Sequence, residues 1–221
     1  RNWDATIYGG GVYLSGGAWT FCDSSFGANN TDRERIQEYY DNNREDLLGG
    51  GIYVASGSHV VRNCAIYGNN GTRPFTSDST AHVRRGGGLY VNGGSVRVLN
   101  STIVGNNNEG VRQAGGALAL TNCILWGNGD DVTGTVTLAY CDIEDGDSGP
   151  GSISADPRFE RGLYLGAGSP CTNAGAADAS VFGLDTYTTA TNGTMDTGAV
   201  DLGYHYAPGL QPSFVELYVA T

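Results

Sequence analysis

The chain has 221 residues, 39% of them hydrophobic, which is enough to bury a sizeable core and excludes a disordered chain. Its 36 glycines are about twice ordinary usage, but they show no Gly-X-Y period, which excludes collagen. All 12 basic residues are arginine and 23 residues are acidic, so the net charge of -11 makes nucleic acid a poor partner. No stretch reaches the roughly 18 consecutive apolar residues of a membrane span, so direct membrane insertion is not expected.

A repeat of about 22 residues runs through the chain, and each copy has three short runs of alternating apolar and polar residues. With the glycine clusters aligned on their last glycine, the first run of each copy is Val12–Leu14, Ile52–Val54, Leu89–Val91 and 117–119. Period-2 alternation predicts half-buried strands, and so short a coil buries its inward face only when neighbouring coils stack on it. The sequence therefore predicts an all-β solenoid of parallel strands.

Two columns of polar residues are predicted at the corners of these coils. Asparagine tolerates the left-handed conformation, and a corner that recurs in every coil lets the amides form a hydrogen-bonded ladder. The first column is predicted to contain Asp23, Asn63, Asn100 and Asn122, and the second Asn29, Asn69, Asn106 and Asn128. Turn chemistry explains both columns, so their expected role is structural.

The rest of the chain is predicted to consist of insertions, a further coil and a cap. The insertions leave the repeat at one corner, and therefore on one side of the solenoid, at 31–48, 71–85 and 108–113. A further coil is predicted at 132–147, followed by an irregular C-terminal cap. The predicted domains are a β-helix with its cap over 1–208 and a C-terminal extension strand over 209–221.

Several motifs carry a resemblance to a known group of proteins. The coil pattern GGGxYxxxxxxxxxNCxIxGN is followed by TNCILWGNG, SISADPRF, GSPCTNAG and VDLGYHY. Together they resemble the right-handed parallel β-helix repeat proteins of bacterial and archaeal cell surfaces, including the choice-of-anchor and polymorphic-outer-membrane-protein-like groups. This resemblance implies a right-handed parallel β-helix that is secreted or exposed on the cell surface. It implies no particular chemistry, because this fold carries both enzymes and inert stalks.

The five cysteines lack metal-type spacing, so a zinc site is not expected. Cys64 and Cys123 share an inward position two coils apart, about 9.6 Å at the usual strand spacing, which exceeds the limit of about 7 Å for a disulfide. Cys123 and Cys141 lie on consecutive coils. Small buried core thiols are favoured, and a Cys123–Cys141 disulfide is the alternative.

A polysaccharide lyase or hydrolase would need a base, an acid and a group that neutralises developing charge. The candidate catalytic residues on the insertion edge are His82, Arg84 and Arg85. No pair of acidic residues between 31 and 46 has a spacing that fixes a catalytic arrangement, and any solvated loop shows the same alternation of charges. His59 is expected in the core and His205 in the cap.

Aromatic and acidic residues suggest two kinds of binding. The candidate carbohydrate-binding residues are an outward-facing column of Tyr13, Tyr53 and Tyr90, together with Tyr39 and Tyr40. Such a column also stabilises a sheet without any ligand. Asp130-Asp131 and Glu144-Asp145-Gly-Asp147 could hold calcium through oxygen ligands, with ordinary turns as the alternative. No other metal or cofactor is expected.

Residues 4–9 (DATIYG) match residues 63–68 (NCAIYG), so the chain is expected to begin partway through a coil. The β-prone run FVELYVAT at 214–221 has no place in the solenoid, and it could add itself to an open sheet edge of another copy. The residues of this hypothetical head-to-tail filament contact are Asp4, Ile7, Phe214, Val215, Leu217, Tyr218 and Val219. The alternative is that 209–221 leads into a following domain or an anchor.

The favoured function is a non-catalytic structural or adhesive module of an extracellular cell-surface protein, with self-association and surface glycans as the expected partners. The alternative is a β-helix protein that binds or degrades polysaccharides. Glycosylation sequons occur at Asn29, Asn70 and Asn192, and a fourth at Asn100 is expected to be spared inside its column.

Overall fold

The computed structural model describes residues 7–8, 10–29, 47–69 and 84–209. Coil 1 contains β1 (Ile7–Tyr8), β2 (Val12–Leu14), β3 (Ala18–Cys22) and β4 (Ser25–Gly27). Coil 2 contains β5 (Leu47–Leu48), β6 (Ile52–Val54), β7 (Ser58–Arg62) and β8 (Ala65–Tyr67). Coil 3 contains β9 (Arg84–Arg85), β10 (Leu89–Val91), β11 (Ser95–Leu99) and β12 (Thr102–Val104). Coil 4 contains β13 (Val111–Gln113), β14 (Ala117–Thr121) and β15 (Ile124–Trp126), and coil 5 contains β16 (Val132–Thr133), β17 (Thr137–Ala139) and β18 (Asp142–Ile143). The strands β19 (Phe159–Glu160) and β20 (Tyr164–Leu165) and the helix α1 (Ala179–Phe182) follow.

Corresponding strands of successive coils pair in parallel and build three stacked five-stranded sheets. The first sheet has the order β16-β13-β10-β6-β2, the second β17-β14-β11-β7-β3, and the third β18-β15-β12-β8-β4. A short fourth sheet, β1-β5-β9, lies just before the glycine corners. The chain is a right-handed parallel β-helix, as the sequence predicts, and the described part has no helix long and apolar enough to cross a membrane.

The pairing register places like side chains over like. In the third sheet Phe26, Ile66, Ile103, Leu125 and Ile143 are consecutive partners. The last four of these side chains are fully buried. This column and its counterparts on the other two sheets form the core, which confirms the predicted fifth coil at 132–147.

The structure corrects the alignment of coil 4. Residues 117–119 belong to the second sheet, where β14 pairs with β11, and Val111–Gln113 supplies the first-sheet strand. The sequence alignment was wrong because Gly115 and Gly116 form the second corner of the coil, with Gly116 packed on the backbone of Gly94. Segment 108–113 is therefore part of the coil and not an insertion. The other two predicted insertions are also shorter, because Leu47–Leu48 and Arg84–Arg85 are paired strands.

The N-terminal match was also assigned to the wrong sheet. Ile7–Tyr8 pairs with Leu47–Leu48 in the fourth sheet and not with a third-sheet strand. The two stretches have similar sequences because both lead into a corner that needs glycine. Which strands pair depends instead on the position of each stretch within its coil. Residues 1–6 lie outside the described part.

The predicted cap has two separate roles. Residues 149–155 close the C-terminal end of the solenoid, since the Tyr140 amide donates to the Pro150 carbonyl over 2.8 Å and Ile153 bridges to Asp142. Segment 157–208 instead runs along the outer face of the third sheet. There Leu163 packs on Ala65 and Val104, and Leu202 packs on Ile124. Most of the cap therefore covers a side of the solenoid, because the outward residues of this sheet are apolar.

Candidate functional site

The second polar column is a continuous amide ladder along the solenoid. The Asn29 Nδ2 donates to the Asn69 Oδ1 over 2.9 Å, the Asn69 Nδ2 to the Asn106 Oδ1 over 2.9 Å, and the Asn106 Nδ2 to the Asn128 Oδ1 over 3.0 Å. Asn128 in turn donates to the Asp131 carboxylate over 2.8 Å. Burial raises the pKa of Asp131. The predicted ladder is confirmed, although the left-handed residue at this corner is the one before each asparagine.

The first polar column holds the cap to the solenoid. Asp23, Asn63, Asn100 and Asn122 all have the predicted left-handed backbone. The Asn63 side chain accepts from the backbone N–H of His205 over 2.7 Å and donates to its carbonyl over 2.9 Å, while the Asn122 Oδ1 accepts from the Ala176 amide over 2.9 Å. The buried amide of Asn100 has no partner among the described residues. This column is therefore not a continuous ladder, because its side chains turn outward to the cap.

A third column contains serine and cysteine side chains. Cys64, Ser101, Cys123 and Cys141 follow one another on successive coils, and each donates to the carbonyl two residues earlier. All five cysteines are free thiols, which agrees with the favoured core-thiol interpretation and not with the Cys123–Cys141 disulfide. Burial raises the pKa of Cys64 to about 11 and also raises that of Cys123. Cys64 and Cys123 are therefore poor nucleophiles that pack the core, whereas the hydrogen bond with Cys123 lowers the pKa of Cys141.

The tyrosine column has the predicted register but little of the expected exposure. Tyr53 stacks between Tyr13 and Tyr90, with ring centroids 5.4 and 5.3 Å apart. Tyr13 is 50% exposed, whereas Tyr53 and Tyr90 are only 3% and 6% exposed. The neighbouring rings cover the faces of Tyr53, and the backbone at Gly49 and Gly86 lies against the two buried tyrosines. Of the three, only Tyr13 is exposed; Tyr39 and Tyr40 lie outside the described residues.

The structure does not bring the candidate catalytic residues into one described site. His82 lies outside the described residues, and Arg84 and Arg85 are placed only as the strand β9. His59 is buried in the core, as predicted, and its Nε2 lies 2.9 Å from the Ser56 carbonyl.

His205 is buried in the cap between a carbonyl and a carboxylate. Its Nδ1 lies 3.0 Å from the Gly203 carbonyl, and its Nε2 lies 2.9 Å from the Asp196 carboxylate. Because a carbonyl can only accept, Nδ1 carries a proton. The imidazole is fully enclosed, which places it out of reach of a substrate.

A shallow groove beside the cap gathers polar groups that the sequence analysis did not single out. It encloses about 390 Å³ and is lined by Glu160, Thr172, Asn173, Thr189, Asp196 and Asp201, among others. The Asp201 carboxylate accepts from the backbone N–H of Asn173 over 2.6 Å and from the Thr189 hydroxyl. Burial raises the pKa of Asp201. The signal in the sequence was MDTGAVDLG, whose two aspartates lie five residues apart, but nothing local showed that they share a groove.

The candidate calcium residues come partly together. One carboxylate oxygen each of Asp130, Asp145 and Asp147 lies within 4.8 Å of the others, and all three residues are exposed. Burial, followed by the charges of Asp145 and Asp130, raises the pKa of Asp147. Asp131 faces the ladder and Glu144 caps the Gly127 amide over 2.6 Å. Calcium binding stays a prediction, because an acidic turn without any bound ion also brings carboxylates together and raises their pKa by mutual repulsion.

The sequons differ in accessibility. Asn100 is fully buried, in agreement with the expectation that it is spared. The amide nitrogen of Asn29 is already engaged in the ladder, whereas Asn192 is exposed in a turn in which its Oδ1 accepts from Thr194 over 2.9 Å. Asn192 is therefore the most accessible of the described sequons, and Asn70 lies outside the described residues.

The first coil forms the open N-terminal end of the described solenoid. Trp19 is 57% exposed although its partner His59 is 2% exposed. Phe21 and Phe26 meet edge to face with centroids 5.4 Å apart, and both are only partly buried. The side chains of Asp4, Ile7 and the five residues of the expected tail contact lie outside the described part.

Searches of protein-family models, curated proteins and solved structures found no match to the chain.

Proposed function

We propose that the chain is a non-catalytic structural or adhesive module of an extracellular cell-surface protein, of the kind its motifs resemble. The observation that carries the proposal is the use made of its polar side chains. The asparagine ladder joins four coils, and the first column fastens the cap to two of them. Asparagine side chains that hydrogen-bond to the backbone or to one another stiffen the solenoid and are not available to bind a substrate.

The chemistry of the thiols agrees with an extracellular location. Four of the five cysteines are buried, and burial raises the pKa of Cys64, Cys123 and Cys171. Oxidation and disulfide exchange proceed through the thiolate, which burial suppresses. Burial therefore favours reduced thiols at Cys64, Cys123 and Cys171 without disulfides, whereas the hydrogen bond with Cys123 lowers the pKa of Cys141.

A polysaccharide-binding or polysaccharide-degrading protein is the second candidate, and the groove beside Asp201 favours it. Hydroxyl, amide and carboxylate groups line this groove, and these are groups that hydrogen-bond sugars. Glu160 is exposed at its edge and is the carboxylate best placed to meet a ligand. Asp196 and Asp201 are less suited, because both accept hydrogen bonds from the protein's own backbone.

The experiment is a panel of surface and plant polysaccharides incubated with the purified chain, with and without calcium. New reducing ends and unsaturated products report turnover, and a glycan array reports binding. We expect no turnover, with or without binding. Turnover that Glu160→Gln abolishes, and that Asp185→Asn at an exposed position outside the groove preserves, would replace the structural proposal with the enzymatic one.

Head-to-tail joining through Phe214–Thr221 is a separate part of the proposal. Electron microscopy of the full chain and of a chain lacking 214–221 tests it. Filaments that the deletion removes support joining, and single particles in both samples count against it. The structural role itself does not depend on this result.

A further inference from the structure

Three Asn-Gly pairs lie in the described part of the chain, namely Asn92-Gly93, Asn128-Gly129 and Asn192-Gly193. In such a pair the backbone nitrogen of the glycine can attack the side-chain carbonyl carbon of the asparagine, since the glycine has no Cβ to hinder the approach. The reaction needs a carboxamide that is free to turn, a glycine N–H that is not engaged elsewhere, and water. The structure meets these needs differently at the three pairs.

The Asn128-Gly129 pair is held by the amide ladder. The Asn128 Oδ1 accepts from the Asn106 Nδ2 over 3.0 Å, and the Asn128 Nδ2 donates to the Ile103 carbonyl over 2.9 Å. The Gly129 amide donates to the Asn106 carbonyl over 3.3 Å. Both reacting groups of this pair are therefore bound to the solenoid.

The Asn192-Gly193 pair is exposed, but its groups are closed into a turn. The Asn192 Oδ1 accepts from the Thr194 amide over 2.9 Å, and the Gly193 amide donates to the Ala190 carbonyl over 3.0 Å. Both hydrogen bonds must open before the Gly193 nitrogen can reach the Asn192 carboxamide. Exposure alone therefore does not make this pair reactive.

The Asn92-Gly93 pair has neither restraint. It lies at the corner between the first and second sheets, where the Asn92 amide donates to the Val54 carbonyl over 2.8 Å and holds the backbone in place. The Asn92 side chain is exposed, and it has no hydrogen-bond partner within the described ranges. The Gly93 N–H also has no partner there. The nucleophile, the carboxamide and solvent therefore meet at this pair.

We propose that Asn92 is a site of spontaneous deamidation. The Gly93 nitrogen gives its proton to solvent base and attacks the Asn92 Cγ. A carbon–nitrogen bond forms, the bond from Cγ to the carboxamide nitrogen breaks, and this nitrogen takes up a proton and leaves as ammonia. The resulting succinimide adds water at one of its two carbonyl carbons. Opening of the ring gives either aspartate or isoaspartate, in which the main chain runs through the side-chain methylene, and both products add a negative charge.

Isoaspartate at residue 92 loosens this corner, because the corner is packed against both neighbouring coils. A Cβ at Gly93 would lie 2.5 Å from the Ala55 carbonyl oxygen of coil 2. A Cβ at Gly115 of coil 4 would lie 2.5 Å from the Asn92 carbonyl oxygen. Both contacts are with backbone, so the corner has no room for an extra methylene in the main chain. Aspartate keeps the normal backbone and leaves these contacts intact.

Peptide mapping by mass spectrometry of the full chain, aged in neutral buffer, tests the site. Conversion at Asn92 should be at least about tenfold faster than at Asn128 or Asn192, because at least two hydrogen bonds must open first at those two pairs. In urea the same chain should convert at similar rates at all three pairs. The matched variant Asn92→Gln, with a side chain too long to form the succinimide, should lack the modification at this position.

Thermal unfolding separates the effect of the new charge from that of the longer backbone. The midpoint of the converted chain should lie below that of Asn92→Asp, which has the same charge without the extra methylene. Two results overturn the proposal. One is conversion in the folded chain that is no faster at Asn92 than at Asn128 and Asn192; the other is a converted chain that unfolds at the same temperature as Asn92→Asp. Neither result bears on the polysaccharide assay or on filament formation, so failure here leaves the proposed function standing.

Discussion

Asn106 offers the sharpest test of the amide ladder, because its side chain serves three neighbours at once. Its Oδ1 accepts from the Asn69 backbone N–H over 3.0 Å and from the Asn69 Nδ2 over 2.9 Å. Its Nδ2 donates to the Ile66 carbonyl over 3.0 Å and to Asn128 over 3.0 Å. Asn106→Ala therefore leaves the Asn69 N–H without a partner inside the solenoid, whereas the Ile66 C=O keeps its bond from the Val104 N–H in the third sheet.

The magnitude follows from counting the groups that lose their partner. A buried backbone group without a partner costs about 1–3 kcal/mol, so the single orphaned Asn69 N–H predicts a loss of about 1–3 kcal/mol in the free energy of unfolding for Asn106→Ala. The matched control is Asn29→Ala at the open end of the same ladder. Asn69 keeps a donor there, because the Asn29 backbone N–H also reaches its Oδ1 over 3.2 Å. The expected loss is below about 1 kcal/mol.

Urea denaturation followed by circular dichroism measures both variants, and an unchanged dependence of the free energy on urea shows that the two transitions are comparable. A larger loss for Asn106→Ala than for Asn29→Ala is the expected result. Equal losses in the two variants would refute the reasoning, since the ladder would then add nothing beyond the backbone pairing of the coils.

Three further predictions concern protonation, the thiols and the cap. Burial raises the pKa of Asp142, which accepts from the Cys171 thiol over 2.9 Å, so the folded chain binds this proton more tightly than the unfolded chain and the free energy of unfolding falls as pH rises above about 4. Asp142→Asn removes this titration, so its stability relative to the unaltered chain should increase as pH is raised from below about 4 to neutral, and a variant whose relative stability decreases over this range contradicts the assignment. A thiol reagent should modify only Cys22 quickly in the folded chain and all five cysteines after unfolding, whereas fewer than five would show a disulfide. Asn63→Gly should lower the free energy of unfolding by about 1–3 kcal/mol, because it loses the hydrogen bonds to His205. Asn100→Gly, at the same left-handed corner, should lower it less, because the Asn100 side chain has no described partner. Calorimetry that shows the reverse order would mean that the column does not hold the cap to the solenoid.

The stacking of coils could be predicted because it follows from the spacing of apolar residues and asparagines along the sequence. Alternation of apolar residues gives the strands, and recurrence of Asn at fixed positions gives the corners, as Asn69 and Asn106 show. Coil 4 was misaligned because glycine marks any tight corner and does not tell one from another. Val111–Gln113, with a single apolar residue among its three, lacked the alternation that identified the other strands.

The contacts of the cap could not be predicted in the same way. The Asn63 side chain meets His205, which is 142 positions later in the chain, and no local pattern encodes such a contact. The same limit applies to the groove beside Asp201. The burial of Tyr53 and Tyr90 was missed for a different reason: period 2 gives the direction of a side chain and says nothing about what packs over it.

The central claim is that the coils stack in fixed register, and a cysteine pair placed across two coils measures this directly. Val60 and Arg97 are partners on the outward side of the second sheet, whereas Leu99 lies two residues further along the strand. In a Cys22→Ser background, mild oxidation should join Val60→Cys to Arg97→Cys, because adjacent strands place their Cα atoms about 4.8 Å apart, within the range of a disulfide. Efficient joining of Val60→Cys to Leu99→Cys, with none to Arg97→Cys, would contradict the register on which the account depends.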